Sequence, residues 1–179
     1  SKLFTEQIIK DNAIANKDFN YVILRYFNVA GAEESLSIGE CHEPETHLIP
    51  LVVKTALGKR KKIMIFGDDY DTTDGTCVRD YIHVDDLASA HLSVLEYLEN
   101  NNNTFNCGYG HGFSVKEVID TVKKVSGVDF KVEVTSRREG DPAVLVADNK
   151  KILECTNWKP KYDNLTFICK TALEWEKKR

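Results

Sequence analysis

The stretch YVILRYFNVAGA, residues 21–32, decides the fold class. Its first seven residues, 21–27, are mostly aromatic or branched aliphatic, which predicts a buried β-strand. Asn28 follows at once and opens a loop that is predicted over residues 28–45. In α/β folds, ligand contacts usually follow the carboxyl end of a strand. Asn28 therefore either binds a ligand or satisfies the backbone of its own loop.

Outward from this strand, helix and strand patterns alternate along the chain. Apolar residues at helical spacing predict helices over 1–16, 47–59, 85–100, 114–125, 149–156 and 164–178. Short runs of β-forming residues predict further strands over 63–66, 78–84, 104–107 and 130–134. An alternation of this kind predicts an α/β fold.

The predicted helix over 85–100 is amphipathic. One side of it carries Leu87, Ala88, His91, Leu92, Leu95 and Leu98. Asp85 and Asp86 stand at its start, where acidic side chains cap free backbone N–H groups and complement the helix dipole. The helix over 114–125 opens with Ser114 and Glu117, which is the pattern of a capping box.

Composition and charge narrow the class of protein. The 179 residues carry a formal net charge of −4, which argues against a nucleic-acid partner because no basic field attracts phosphates. No run approaches the roughly 20 apolar residues that span a bilayer. We therefore expect no membrane partner and a cytoplasmic location.

The cysteines and histidines predict neither disulfides nor a metal site. The five cysteines are scattered and form no C-x-x-C pattern, so reduced thiols are expected. His42 and His47 stand five residues apart, and His83 and His91 stand eight apart. Neither spacing indicates a pair of metal ligands.

Residues 108–112, GYGHG, follow a predicted strand and precede a predicted helix. A dinucleotide-binding loop has the pattern G-x-G-x-x-G, and its third glycine position is occupied here by Phe113. No acidic residue follows on a strand at the expected distance of about 20 residues. We interpret the stretch as a turn that leads into a capped helix.

Three arginines could bind an anion. Arg79 lies in the extended run 78–84, and Arg137 and Arg138 begin the turn RREGD at 137–141. A guanidinium binds phosphate oxygens through a planar fork of N–H donors, so two converging arginines would clamp a diphosphate. The alternative is ion pairing, of Arg79 with Asp80 or Asp85 and of Arg138 with Glu139 or Asp141. The pattern alone favours ion pairing, because surface ion pairs are common.

An ordered series of motifs covers nearly the whole chain. These are SKL at 1–3 with Glu6, RYFNVAG at 25–31, HLIP at 47–50, IFG at 65–67, DGT at 74–76, VRDYIHV at 78–84, RREGD at 137–141 and NWKP at 157–160. On these motifs the chain resembles the C-terminal half of the nucleotide-sugar 4-epimerases of the extended short-chain dehydrogenase/reductase family. The stretch 74–84 carries the resemblance to the epimerase subgroup.

The resemblance implies an α/β fold that is the C-terminal substrate-binding part of such an enzyme, with the last portion of a Rossmann-type domain at its start. Residues 1–30 would be the tail end of the NAD-binding domain. Residues 31–179 would mainly form a UDP-sugar-binding domain, with some segments returning to the Rossmann sheet.

The activity that the resemblance implies is the interconversion of UDP-glucose and UDP-galactose. It would run through a 4-keto intermediate with tightly bound NAD, in a homodimer of the full-length enzyme. A nucleotide-sugar dehydratase or decarboxylase of the same fold, or a non-catalytic UDP-sugar-binding fragment, remains the alternative.

Residues near the cofactor follow from the same motifs. Lys2 would bind the nicotinamide ribose and lower the pKa of a catalytic tyrosine four residues upstream, before Ser1. Because that tyrosine is not in the sequence, we expect a piece of a longer protein that is inactive alone. Phe27 would lie near the nicotinamide, and Asn28 would hydrogen-bond the substrate.

The resemblance also implies contacts along the UDP group. The uracil slot would comprise Leu48, Met64, Ile65 and Phe66, partly through backbone groups. Arg79 and Arg138 would hold the diphosphate, and Asp141 would accept a hydrogen bond from a ribose hydroxyl.

Two positions depart from some members of the family. His47, expected at the substrate, stands where certain members have asparagine. Leu145 stands near a position where some members have a bulky aromatic residue. A smaller side chain there would admit an N-acetylated sugar.

Overall fold

A computed structural model describes residues 1–99 and 101–179 of the chain. Its helices are α1 (Lys2–Ala15), α2 (Leu48–Ala56), α3 (Val84–Leu98), α4 (Val115–Ser126), α5 (Lys150–Cys155) and α6 (Leu165–Lys178). Its strands are β1 (Val22–Tyr26), β2 (Asn28–Ala30), β3 (Ile63–Phe66), β4 (Val78–Arg79), β5 (Tyr81–His83), β6 (Asn103–Cys107), β7 (Phe113–Ser114), β8 (Val132–Thr135) and β9 (Val144–Leu145). The predicted α/β class is confirmed. Asn100, the predicted last residue of the third helix, lies outside the described residues.

The strands pair mostly in parallel, and parallel neighbours must be joined by crossover connections. β1 pairs with β6, β2 with β5, and β3 with β8, each in parallel. β4 lies between β7, which is antiparallel to it, and β9, which is parallel. The β2–β5 register places Asn28 opposite Tyr81, two residues beyond Arg79.

Three helices pack together on the core. Their buried apolar residues include Ile49, Val52 and Val53 of α2, Val118, Ile119 and Val122 of α4, and Ile168, Cys169 and Leu173 of α6. Burying one such side chain contributes roughly 1.5–3 kcal/mol. This layer fixes α2, whose first residue reaches the cavity described below.

Strand β1 is less buried than its sequence predicts. Among the described residues it pairs only with β6, and its residue Tyr26 is 56% exposed. Helix α1 buries none of its residues, and its apolar side chains Leu3, Phe4 and Ile8 are exposed. The strand predicted over 21–27 is present as β1, but the expectation that it is buried was wrong, because Val22 and Leu24 are only partly buried against the core and Tyr26 is exposed.

Short strands escaped the sequence analysis. β2 lies inside the loop predicted over 28–45, and β7 and β9 have two residues each. Strands of two or three residues contain no periodic pattern, and they exist because of pairing with distant segments.

The start of α3 differs from the prediction. Its N-cap is His83, whose Nδ1 accepts a hydrogen bond from the Asp85 backbone N–H at 3.2 Å. The Asp86 carboxylate is buried and accepts from the Tyr109 hydroxyl at 2.6 Å. The expectation that Asp85 and Asp86 cap this helix with their side chains was wrong, because His83 provides the cap and Asp86 turns into the core.

The buried face of α3 also differs. Leu87, Ala90 and Val94 are buried with Asp86, whereas Leu92 and Leu95 are exposed. Asp86 accepts further hydrogen bonds from the backbone N–H groups of Lys161 and Tyr162, both at 2.8 Å. These bonds hold the Asp86 side of the helix inward. The predicted buried face was thus wrong, because the observed buried face is rotated about the helix axis toward Asp86, Ala90 and Val94.

The glycine-containing loop 108–112 surrounds the carboxylate of Asp80, which is fully buried. The backbone N–H groups of Tyr109 and Gly110 donate to it at 3.0 Å, and that of Ala147 at 3.2 Å. A Cβ at Gly108 would stand 2.6 Å from an Asp80 oxygen, so only glycine fits there. Helix α4 then begins with the predicted capping box of Ser114 and Glu117. The interpretation as a turn and a capped helix is confirmed.

All five cysteines are free thiols, as the sequence predicts. Within residues 1–99 and 101–179, no helix is both long and apolar enough to cross a membrane.

We predict that Asp86→Asn lowers the free energy of unfolding by about 3 kcal/mol, because the new amide has one acceptor oxygen for three donors, of which the Tyr109 hydroxyl is buried. Urea denaturation followed by circular dichroism measures the change. Asp120→Asn, on the exposed face of α4, is the matched control and should change stability by less than about 0.5 kcal/mol. Equal losses in the two variants would contradict the role of Asp86.

Burial lowers the pKa of His83, although the nearby charges of Asp85 and Asp86 oppose that shift. The unfolded chain therefore binds a proton more readily than the fold as the pH drops below about 6.5. We predict that stability falls from pH 7 to pH 5, with at most about 1.4 kcal/mol per pH unit from this residue. His83→Asn keeps a capping acceptor without titrating, so its unfolding free energy should show a shallower pH slope. Identical slopes would rule the explanation out.

Candidate functional site

A cavity of about 840 Å³ lies where β2, β3 and β4 meet the first turn of α2. Its size falls in the range of small-molecule sites. The predicted site residues that line it are Phe27, Asn28, His47, Leu48, Met64, Phe66, Arg79, Arg138 and Asp141. The structure therefore brings together nine residues that the sequence analysis singled out from separate motifs.

Three predicted residues are not in the cavity wall. Ile65 points into the core because side chains alternate along β3, where Met64 and Phe66 take the cavity side. Leu145 is 47% exposed and lies beside Arg79 in the β4–β9 pair. Lys2 is exposed at the first position of α1.

Two arginines meet at one carboxylate. Arg79 Nη2 lies 3.4 Å from Asp141 Oδ1, and Arg138 Nε donates to Asp141 Oδ2 at 2.8 Å. Arg79 also donates to the carbonyl of Val78 at 2.8 Å. Two guanidinium groups against one carboxylate leave a net positive charge at this end of the cavity, which favours an anion.

The ion-pair alternatives are settled by these contacts. Arg138 pairs with Asp141, as one alternative predicted. The expected pairing of Arg79 with Asp80 or Asp85 was wrong, since Arg79 reaches Asp141 instead. Asp80 is occupied by backbone N–H groups on the other side of the strand.

The neighbouring Arg137 points away from the cavity. Its Nε donates to Asp69 at 2.6 Å, and its guanidinium lies 4.1 Å from the centre of the Tyr70 ring. The hydrogen bond from Arg137 lowers the pKa of the exposed Asp69 carboxyl. Only the second arginine of the RREGD turn is thus available to a ligand in the cavity.

An apolar wall adjoins the arginine end. Leu48, Met64 and Phe66 form it, and the Arg138 guanidinium lies 4.9 Å from the centre of the Phe66 ring. A flat apolar surface beside paired guanidinium groups suits a ligand with an aromatic base on one side and phosphates on the other.

Asn28, the first residue of β2, lies in the cavity wall. Its backbone N–H donates to the carbonyl of Asp80 at 3.0 Å. Among the described residues, no hydrogen bond of its exposed side-chain amide is found. The alternative in which this side chain satisfies its own loop is thus not observed.

The Lys2 side of the structure is joined to β1 by an ion pair that the sequence analysis missed. Arg25 donates to Glu6 through Nε at 2.7 Å and Nη2 at 2.5 Å. This contact lowers the pKa of Glu6 and raises that of Arg25. It connects α1, which begins at Lys2, to the strand that leads into Phe27. Glu6 and Arg25 both belong to motifs named in the sequence analysis, and their opposite charges could have indicated this pair.

His47 has acidic neighbours that its sequence spacing did not indicate. Its Nδ1 lies 2.5 Å from Glu40 Oε1 and 3.3 Å from Glu45 Oε1. The His42 ring stacks on it with centroids 5.3 Å apart. The spacing of His42 and His47 indicated no pair of metal ligands, but the path of the loop brings the two rings together.

Comparison with known proteins identifies the family of this chain. Residues 1–108 match the NAD dependent epimerase/dehydratase family. A UDP-glucose 4-epimerase of Halalkalibacterium halodurans is 50% identical over 159 residues, which are 88% of this chain and 48% of that protein. The chain spans about half the length of the curated relatives that it matches.

Two solved structures are similar in both fold and sequence. The UDP-Glc/GlcNAc 4-epimerase of Campylobacter jejuni is 58% identical with a TM-score of 0.83, over 99% of this chain and 54% of that one. A UDP-glucose 4-epimerase of Bifidobacterium longum, solved in complex with NAD+ and UDP, is 40% identical with a TM-score of 0.93, over 99% and 53%. The family resemblance inferred from the motifs is confirmed, and this chain belongs to the NAD dependent epimerase/dehydratase family.

Proposed function

We propose that the whole protein is an NAD-dependent UDP-sugar 4-epimerase that interconverts UDP-glucose and UDP-galactose, and that this chain supplies most of its UDP-sugar site. The observation that carries the proposal is the meeting of Arg79 and Arg138 at Asp141, beside the apolar wall of the cavity. Relatives named as UDP-glucose 4-epimerases support it.

In this proposal the diphosphate displaces Asp141 from the two guanidinium groups. Arg79 is only 13% exposed in its side chain, so its charge acts in a poorly hydrated environment. Arg138 is more exposed and can adjust to the second phosphate. Once released, the Asp141 carboxylate accepts a hydrogen bond from a ribose hydroxyl.

The uracil ring would lie against Leu48, Met64 and Phe66. Because the Ile65 side chain belongs to the core, this residue would contribute through its backbone only. The fixed contacts then concentrate on the nucleotide, and Asn28 and His47 remain near the sugar. A sugar with few fixed contacts can turn over in the site, as inversion at C4 requires.

The residues present fit the nicotinamide end of NAD but not its phosphates. Phe27 lines the cavity beside Asn28, whereas the N–H groups of Tyr109 and Gly110 are bound to Asp80 and unavailable to a pyrophosphate. Bound NAD would supply the acceptor and donor of hydride at C4. Lys2 would hold the ribose and favour the ionised form of the tyrosine base, which is not among these 179 residues.

We also propose that residues 1–30 belong to the NAD-binding domain and 31–179 mainly to the UDP-sugar domain. The parallel pairing of β1 with β6 supports the idea that a later segment returns to the first sheet. The homodimer and the cytoplasmic location stay predictions. A dehydratase or decarboxylase is the alternative, which a panel of nucleotide-sugar substrates distinguishes by product.

A finer proposal concerns the sugar. Leu145 is aliphatic and partly exposed beside Arg79, where an aromatic ring would take more space. The Campylobacter jejuni relative is named for both UDP-Glc and UDP-GlcNAc. We therefore propose that this protein also accepts N-acetylated UDP-sugars.

For the arginine clamp, we predict that Arg138→Ala and Arg79→Ala each weaken UDP binding by at least 10-fold, since a hydrogen bond to a charged group contributes about 1.5–3 kcal/mol. Isothermal titration calorimetry of the whole protein measures this. Arg137→Ala is the matched control, because that side chain pairs with Asp69, and it should stay within about 2-fold. A loss of equal size in Arg137→Ala would contradict the assignment.

For the sugar, Leu145→Tyr is predicted to lower kcat/KM for UDP-N-acetylglucosamine at least 10-fold more than for UDP-glucose, because the ring removes space for the acetyl group. Leu145→Met, of similar volume, is the control and should preserve the ratio. The proposal fails if the wild-type protein shows no turnover of the acetylated sugar.

A further inference from the structure

Four side chains with metal-ligand chemistry meet in the loop between β2 and α2. Glu40, His42, Glu45 and His47 each offer one nitrogen or oxygen atom, and these four atoms all lie within 4.8 Å of one another. Two imidazoles and two carboxylates form a mixed donor set, which differs from the purely acidic clusters that are common on protein surfaces.

Both ends of the loop that carries these four side chains are fixed by contacts with helices. Gly39 packs against the Trp175 ring so closely that a Cβ would stand 2.4 Å from it, and Trp175 Nε1 donates to the Glu40 carbonyl at 2.8 Å. At the other end, His47 is the N-cap residue of α2. Both ends of the ligand set are therefore attached to buried helices.

Glu45 is fixed within the loop. Its Oε1 accepts the backbone N–H groups of Thr46 at 2.7 Å and His47 at 2.8 Å, and its side chain is only 6% exposed. The same oxygen lies 3.7 Å from His42 Nδ1 and 3.3 Å from His47 Nδ1. Ligands around tetrahedral zinc, with bonds of about 2.0–2.1 Å, stand roughly 3.3 Å apart. The two distances from Glu45 lie within about 0.4 Å of that value, and the 2.5 Å contact between Glu40 and His47 would widen toward it.

The charge balance also favours a cation. Among residues 1–99 and 101–179, no lysine or arginine pairs with Glu40 or Glu45, and their partners are His42 and His47. Neutral histidines would leave two negative charges beside a cavity proposed to take a diphosphate. A divalent cation would neutralise both.

We propose that Glu40, His42, Glu45 and His47 form a Zn²⁺ site. Imidazole and carboxylate ligands at these separations suit zinc better than the all-oxygen sets that calcium and magnesium prefer. The ion would tie the loop to the start of α2 and so fix the wall that Glu40 and His47 contribute to the cavity. The zinc proposal does not rest on the proposed epimerase activity, although Glu40 and His47 also line the cavity.

The test uses the whole protein without an affinity tag, dialysed against a chelator and then titrated calorimetrically with Zn²⁺ alone. We expect one equivalent to bind, a rise in Tm that saturates with it, and a tetrahedral visible spectrum when Co²⁺ replaces Zn²⁺. His42→Ala should weaken binding at least 10-fold and abolish the rise in Tm. His42 is about half exposed, so the variant should keep the wild-type circular dichroism spectrum.

His111→Ala is the matched control, because His111 pairs with Asp163 at 2.8 Å on another surface and should leave zinc affinity unchanged. Glu40→Gln is the second variant and should also weaken binding if His42→Ala fails to fold. Absence of stoichiometric binding by the wild-type protein would overturn the proposal. Equal affinity in wild type and a folded His42→Ala would overturn it as well.

Discussion

The buried carboxylate of Asp80 holds the centre of the structure together. It accepts N–H groups from Tyr109, Gly110 and Ala147, which belong to two segments far apart in sequence. An ionised group without water is tolerated only when such donors surround it. Because side chains alternate along an extended strand, fixing Asp80 inward turns Arg79 toward the cavity. The orientation of the proposed anion site thus depends on Asp80, which is not among the residues that line the cavity.

A second buried carboxylate performs a similar task at α3. Asp86 gathers the Tyr109 hydroxyl and the N–H groups of Lys161 and Tyr162, while the Trp158 indole donates to its carbonyl at 3.0 Å. The two networks share Tyr109, so the glycine-containing loop is held by both. This explains why a loop that looks suited to phosphate is committed to the protein's own carboxylates.

Local patterns in the sequence correctly predicted the elements that depend on nearby residues. The strand predicted over 63–66 is observed as β3 without a change of bounds, and the capping box of Ser114 and Glu117 forms. Such features depend on neighbours within a few residues. Pairing of β4 with β7 and β9, and the inward turn of Asp86, depend on segments tens of residues away and leave no local pattern. The stacking of His42 on His47 likewise could not be predicted without knowing the path of the loop.

The proposed chemistry needs tight binding of the nucleotide and freedom for the sugar, and the proposal assigns these demands to different residues of the cavity. Arg79, Arg138 and Phe66 would bind the nucleotide, and Asn28, the first residue of β2, would face the sugar. A crystal structure of the protein with UDP would test this most directly. We predict phosphate oxygens on Arg79 and Arg138, with Asp141 turned to the ribose. A diphosphate bound elsewhere, with the Asp141 ion pairs intact, would contradict the account.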